Sequence, residues 1–415
     1  MKKLLILGGA SVHCKLVSTA KELGCYTIVT DYLEDSPAKK IADESWMINI
    51  MDVNSLVEKC RENKIDGVIA GWLDPCQRPY AEICHKLGLH CYGTPEQFFK
   101  MTNKHAFKKM CMENGVDVIP EYTETDVQND TVEFPVFVKP VDSRGSRGQS
   151  VCYSREELLS AIKFAKSESS NGDVIIEKYM KDAHEFQVTY FYVDGKPYLV
   201  RTVDSYCGAE ENHLEKVVAC AISPSRYTEL YLSQAHENVI KMFSNLGIKN
   251  GPIFMQGFED NGVFRFFDPG LRFPGVDYEK IYEKVFGTNL MAAMIDIALT
   301  GACSNLALPE NGVFIDGKRA AILFPTVRAG KVGKISGVDD LKHDDAVVSF
   351  WPRCKVGDTI EWAYNVNQRA AEIDIATSDT ESLKKKVGQI QERFKVINDF
   401  NEDMTYEKFD VSRIV

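Results

Sequence analysis

The apolar positions in the first part of the chain fall in short unbroken runs separated by amphipathic stretches. Lys3–Leu7, Tyr26–Thr30, Ser45–Ile50, Gly67–Ala70 and His90–Tyr92 read as strands. Between them Lys15–Leu23, closed by Gly24, Asn54–Asn63, and Tyr80–Leu87, closed by Gly88, read as helices. Runs without a polar alternate belong to strands covered on both faces, and strands alternating with helices build βαβ units, so this region predicts a small doubly wound sheet. Ligands of such sheets sit beyond the carboxyl ends of the strands, which here offer Gly8, Gly9, Asp31, Trp72 and Asp74. The opening Gly8-Gly9-Ala10-Ser11 lacks the full GxGxxG pattern and gives a dinucleotide site little support.

From Thr94 the texture changes. Thr94 is a good N-cap, with Pro95 at the first helical position and Gln97 at the third; a second helix, Lys104–Glu113, stops at Asn114-Gly115. Val136–Val138 and Val151–Tyr153 predict a hairpin, followed by an amphipathic helix over Arg155–Lys166 and a strand over Asp173–Glu177. Asp194-Gly195 joins strands Phe186–Val193 and Tyr198–Arg201, and Arg226–Leu246 predicts one long helix closed by Gly247. A further hairpin turns at Asn261-Gly262, and the tail offers strands at Arg319–Pro325 and Thr359–Val366 and a helix at Thr380–Phe394.

Two of these hairpins carry candidate chemistry. The loop between Val138 and Val151 holds Gly145, Ser146 and Gly148, whose freed backbone N–H groups can close over an anion, and Lys139 adds a positive charge at the strand end. Taken alone, the stretch is read equally well as an exposed turn with a surface lysine. The second hairpin carries Gln256 on one arm and Asp268 on the other, the oxygen pair that Mg²⁺ bridging nucleotide phosphates requires, with Arg272 following as a clamp for an anion. A plain antiparallel core ribbon is its structural reading. Side chains alternate along a strand, so a two-residue turn at Asn261-Gly262 would pair Gln256 with Phe267 and put Asp268 on the other face. A shared ion therefore predicts a three-residue loop, or a bulge with the same effect.

Length and charge narrow the class. At 415 residues the chain fits two or three domains, and a net charge of −11 argues against a nucleic-acid surface. Its twelve cysteines show no CxxC and no zinc spacing, and read as thiols of a reducing cytoplasm. Lys2-Lys3 before Leu4–Leu7 is too short an apolar run for a signal peptide, and no later stretch predicts a membrane span.

The order Lys104, Val138-Lys139-Pro140, the Gly-rich loop 142–150, Ile175-Ile176-Glu177-Lys178-Tyr179-Met180, Gln256, Asp268 and Arg272-Phe273-Pro274-Gly275 resembles the ATP-grasp superfamily, which includes biotin carboxylase, carbamoyl phosphate synthetase and glycinamide ribonucleotide synthetase. The resemblance runs over nearly the whole chain. It implies an α/β protein with a doubly wound pre-ATP-grasp domain over 1–95, a two-part ATP-grasp domain over 96–305 with a lid subdomain at about 118–182, and a small α+β C-terminal domain over 306–415. It implies an ADP-forming ligase that activates a carboxylate as an acyl phosphate and joins it to an amine or thiol, with ATP and Mg²⁺ (or Mn²⁺) as cofactors. A nucleotide-binding protein without turnover, or a bicarbonate-activating enzyme, are its alternatives.

Carried over residue by residue, the resemblance puts Lys104 and Lys139 on the ATP phosphates under a lid of Asp142–Ser150, including Gly145, Ser146 and Gly148. Glu177 with the backbone of Lys178 and Met180 meets the adenine edge, and Glu185 or His184 the ribose. Gln256 and Asp268 match metal ligands. Arg272 matches the arginine beside the acyl phosphate, His213 a histidine near the phosphates, and Arg328 a candidate for the substrate carboxylate. Two departures stand out: Gln256 replaces a common Glu, although carbamoyl phosphate synthetase also has Gln there, and Gly270 replaces an Asn that ligates metal, leaving one or two ions open. Small-molecule carboxylate and amine substrates, a cytoplasmic location, no nucleic-acid or membrane partner and a homodimer complete the expectation.

Overall fold

A computed structural model of the chain describes every residue except 142–147, 170, 171, 182, 210, 211, 213, 215, 216, 276, 277, 304, 305, 363 and 364. The amino-terminal apolar runs form a four-stranded parallel sheet in the order Glu44–Trp46, Tyr26–Thr30, Lys3–Leu7, Gly67–Ile69. Leu4 through Leu7 are fully buried, as a central strand covered by helices on both faces must be. The expected fifth strand is absent: His90–Tyr92 is irregular. Tyr92 is apolar in pattern because it packs between segments, its ring 5.1 Å from Tyr80, while its hydroxyl bridges Gln77 Oε1 at 2.7 Å and the Leu271 carbonyl at 3.1 Å.

An eight-stranded antiparallel sheet forms the body of the molecule. Its order is Val263–Gly270, Gly251–Asp260, His184–Val193, Lys196–Cys207, Val218–Ser223, Arg319–Leu323, Ala371–Thr377, Val347–Pro352. The pairing of Val218–Ser223 with Arg319–Leu323 carries this sheet across residue 305, so the carboxy-terminal part extends the same sheet. Ala371–Thr377 contributes a buried strand that the tail's pattern did not announce, whereas among the described residues of Thr359–Val366 strand structure is kept at Thr359–Ile360. The expected long helix is two, Thr228–Gln234 and His236–Asn245. The break lets Tyr231 and His236 both reach the buried Tyr190 hydroxyl, at 2.5 and 2.7 Å.

A second, four-stranded sheet runs Glu121–Tyr122, Val174–Lys178, Val136–Pro140, Ser150–Cys152. The helix Arg155–Glu168 covers it, and Val136, Val138, Leu158 and Ile176 make it a small core of its own. The predicted hairpin pairs Val136 with Cys152. This small sheet faces the edge of the large one across a cleft of about 830 Å³, whose third wall is the start of the helix Asp74–Leu87 and the helix Pro95–Lys100. Among the described residues no helix is long and apolar enough to cross a membrane.

Candidate active site

Glu177 is the electrostatic centre of the small sheet. At 1 % exposure its carboxylate accepts from Lys139 at 2.6 Å and, in a still shorter contact, from Lys108. Lys108 also donates to the Ile119 carbonyl at 3.1 Å and pairs with Glu121 at 2.6 Å. Burial works to raise the Glu177 carboxyl, but the charges of Lys139 and Lys108 outweigh it and hold the group below the usual carboxylate range. Burial pushes the Lys139 ammonium below the ordinary lysine range, against the pull of Glu177. The Glu177 side chain is thus turned to the lysines, and only its backbone remains for an adenine edge. The Lys178 N–H already donates to the Pro120 carbonyl at 3.0 Å, yet Lys178 and Met180 both line the cleft.

Lys104 opens the helix Lys104–Glu113 behind the N-cap Asn103, whose side chain accepts from the Ala106 N–H. Its ammonium stands 3.6 Å from Asp268 Oδ1. Lys108 lies one turn further on the same face, an i, i+4 spacing that is legible in the sequence.

The hairpin that carries Gln256 and Asp268 resolves the parity question by a bulge. The turn keeps two residues, with Asn261 at φ 52° and Gly262 at φ 89°, the conformation that matches strand twist, and Asp260 pairs with Val263. Between Gln256 and Gly257 the register shifts, Phe267 becomes the extra residue, and Gln256 faces Asp268 directly. Glycine at 257 permits this, because a Cβ there would stand 2.6 Å from the Arg265 carbonyl oxygen. Phe267 then stacks on Phe258 at 5.3 Å as part of the cleft wall. An amide and a carboxylate oxygen side by side fit Mg²⁺ or Mn²⁺. Burial lifts the Asp268 carboxyl above its usual range, with Lys104 pulling it back, so this oxygen gains from a cation placed against it. Among the described residues no three His, Cys, Asp or Glu side chains converge on a metal. At Gly270 a Cβ would collide with the Phe254 ring, so the position has no room for the Asn side chain that the resemblance expects there.

Glu185 lines the cleft, where burial pushes its carboxyl up to about 7 against the Cys207 thiol, which donates at 3.5 Å, and the charge of Arg369. His184, one residue earlier on the strand, faces away: its Nε2 is 3.1 Å from Asp204 Oδ1 and its ring packs on Tyr206 and Tyr227. Gly148 adopts φ 69°, and a Cβ there would stand 2.7 Å from the Pro140 ring. Gly145, Ser146, His213 and most of the expected lid lie outside the described residues.

Two sequence expectations change. Arg272 is buried and already engaged: Nε and Nη2 donate to Asp74 Oδ1 and Oδ2 at 2.5 and 2.6 Å, Nη1 donates to the Phe273 carbonyl at 2.9 Å, and its guanidinium lies 4.9 Å from the Phe254 ring centre. Asp74, not Arg272, forms the cleft surface there. Arg328 is exposed at the end of the short strand Thr326–Val327, away from the cleft lining; its N–H serves the Met404 carbonyl. The buried carboxy-terminal arginine beside the site is instead Arg369, stacked 4.0 Å over Phe324. Near it Arg353 and Lys15 share Glu372 at 2.6 and 3.2 Å. Lys15 lies more than 300 residues before the two arginines, and no local motif marks the group.

Residues 100–304 match the profile of the carbamoyl-phosphate synthase L chain ATP-binding domain. A formate-dependent phosphoribosylglycinamide formyltransferase of Prochlorococcus marinus is 23 % identical over 392 residues, 84 % of this chain and 97 % of that one. Among solved structures, the biotin carboxylase domain of the Hydrogenobacter thermophilus 2-oxoglutarate carboxylase superposes with a TM-score of 0.78 at 18 % identity, over 95 % of this chain and 90 % of that one. An L-amino acid ligase of Bacillus licheniformis gives 0.76 at 17 % identity, over 96 % and 99 %. The paired lysines and the Gln256–Asp268 hairpin all fall within the region that matches this ATP-binding profile, and the chain shares the fold of these proteins, as its resemblance to the ATP-grasp superfamily implies.

Proposed function

We propose that the protein is an ADP-forming ligase that activates a carboxylate as an acyl phosphate and transfers the acyl group to an amine. One observation carries the reading: Lys104, Lys139 and the Gln256–Asp268 oxygen pair, from one helix and three strands, line one cleft. Its apolar walls, including Phe137, Phe258 and Phe267, suit a purine, with Glu185 for the ribose hydroxyls and the backbone of Lys178 and Met180 for the adenine edge.

In this reading Lys139 and Lys104 grip the phosphate tail from opposite walls. Glu177 keeps Lys139 charged and aimed, and Lys108 keeps Glu177 ionised. A divalent ion on Gln256 and Asp268 would supply neutralisation of phosphate charge. The substrate carboxylate oxygen attacks the γ-phosphorus, ADP leaves, and an amine then displaces phosphate from the acyl carbon. Alignment and charge compensation are the main requirements of such a phosphoryl transfer, so no protein nucleophile is needed. The twelve free thiols agree with a cytoplasmic setting.

The test is ADP formation from MgATP with formate, bicarbonate and pooled amino acids as acids and ammonia as the amine. Acid-dependent ADP release supports the ligase. Tight MgATP binding by calorimetry without ADP release under any combination would make the protein a nucleotide binder instead.

A further inference from the structure

The cleft lining includes residues that the nucleotide reading leaves unassigned. Beyond Lys104 it continues between the start of the helix Asp74–Leu87 and the helix Pro95–Lys100. The lining there changes character: one carboxylate, Asp74, stands beside an apolar wall made by Met51, Pro75, Pro79, Pro95 and Phe99. Phe99 and Met51 keep 57 % and 62 % of their surface exposed, at the mouth of a cleft that already holds the site's polar groups. Large apolar groups left open inside a concave site are surface that a ligand can cover.

Asp74 sets the charge of the group that can sit next to that wall. Its two oxygens each take one hydrogen from Arg272, yet 39 % of its side chain remains exposed and it, rather than the guanidinium, meets the cleft. A carboxylate oxygen has lone pairs for more than one donor, so Asp74 can still accept from a cation. A small bare anion such as formate or bicarbonate meets in Asp74 an acceptor where it needs a donor, and has nothing to set against the apolar wall. A molecule with an ammonium group next to its carboxylate finds a partner for each charge, Asp74 for one and Lys104 with the ATP-bound ion for the other.

We propose that the acid activated in this cleft is an α-amino acid with a large apolar side chain, its ammonium on Asp74 and its side chain against the Met51–Phe99 wall. The proposal rests on the ligase reading and gives it a substrate class. The carboxylate oxygen of the amino acid forms the new bond to the γ-phosphorus as the bond to the β–γ bridging oxygen breaks, and ADP departs with that electron pair.

Hydroxylamine tests this without knowledge of the natural amine. Its nitrogen attacks the acyl carbon, loses a proton and expels phosphate, leaving a hydroxamate that ferric ion colours. With MgATP and hydroxylamine, L-leucine and L-phenylalanine are expected to give hydroxamate with a kcat/KM about tenfold or more above glycine, formate and bicarbonate. Phe99→Glu, at an exposed position that folding tolerates, is expected to raise the KM for leucine about tenfold while MgATP affinity by calorimetry stays as in the parent. Hydroxamate from formate or bicarbonate in preference to leucine, or an unchanged leucine KM in Phe99→Glu, overturns the amino-acid assignment and leaves the ligase standing. No hydroxamate from any acid overturns the ligase and the assignment together.

Discussion

Replacing Glu177 by glutamine probes the arrangement on which the nucleotide reading depends most. The change keeps the shape of the side chain and removes the charge that two buried lysines share. Lys108 retains Glu121 at 2.6 Å, so its loss is partial. For Lys139, Glu177 is the carboxylate partner among the described residues, and the ammonium is buried. Breaking a buried pair from one side typically costs about 3–5 kcal/mol, which is a large share of a domain's ~5–15 kcal/mol. Lys139 can escape much of that by releasing its proton, since burial already depresses its affinity for one. Two signatures follow for Glu177→Gln. The thermal midpoint falls and hydrogen exchange quickens in the strand Val174–Lys178. ATP affinity at neutral pH falls by about one to two decades, the worth of a charge-assisted phosphate contact, and recovers as pH is lowered and Lys139 regains its proton. ATP titration by calorimetry across pH reads the second effect. A variant with parental stability and a parental, pH-independent ATP affinity would refute the idea that Glu177 holds the phosphate lysine in place.

Three further outcomes are expected. Lys139→Ala should weaken ATP binding by ~1.5–3 kcal/mol at every pH, without the acid recovery of Glu177→Gln, as calorimetry would register. Gly257→Val should remove the bulge, because its Cβ would press on the Arg265 carbonyl, and so turn Asp268 off the cleft face; Mn²⁺ bound in the presence of nucleotide, counted by electron spin resonance, should fall to what free nucleotide holds. Glu185, with its carboxyl raised to about 7, takes up a proton in the folded state that the unfolded chain binds only near the ordinary value of about 4.3. Its contribution to stability is therefore complete below the unfolded value and is lost as pH rises toward 7, the reverse of a salt-bridged carboxylate. Nucleotide affinity should move the other way, rising with pH through about 7 as Glu185 becomes a full acceptor for ribose hydroxyls; equal slopes for the parent and Glu185→Gln would remove that assignment.

Much of this protein is written locally. Unbroken apolar runs such as Leu4–Leu7 announce a buried parallel strand because burial on both faces leaves no room for alternation. The cap at Thr94 and the turns at Asp194-Gly195 and Asn261-Gly262 follow from side-chain hydrogen bonding and from the positive φ those residues tolerate. The ordered series of lysines, carboxylates and amide is likewise what carries the resemblance to the ATP-grasp superfamily. Sequence pattern also misled where packing imitates periodicity: Tyr92 is buried by contact with Tyr80 and Leu271, and no strand is needed to bury it.

Tertiary structure decided what depends on partners far along the chain. Gln256 and Asp268 share a face only because Gly257 lets the opposing carbonyl close in and Phe267 bulge out, a register choice that propensity at the turn does not express. Whether Arg272 meets an anion or an aspartate turns on Asp74, 198 residues away. Glu177 could be read as an adenine contact until the fold brought Lys108 and Lys139 to it from two other elements. Hydrophobic periodicity records which way a side chain faces, whereas charge pairing records what it meets there. The second is settled by the packing of whole elements, since a buried charge is stable only beside the partner that the fold supplies.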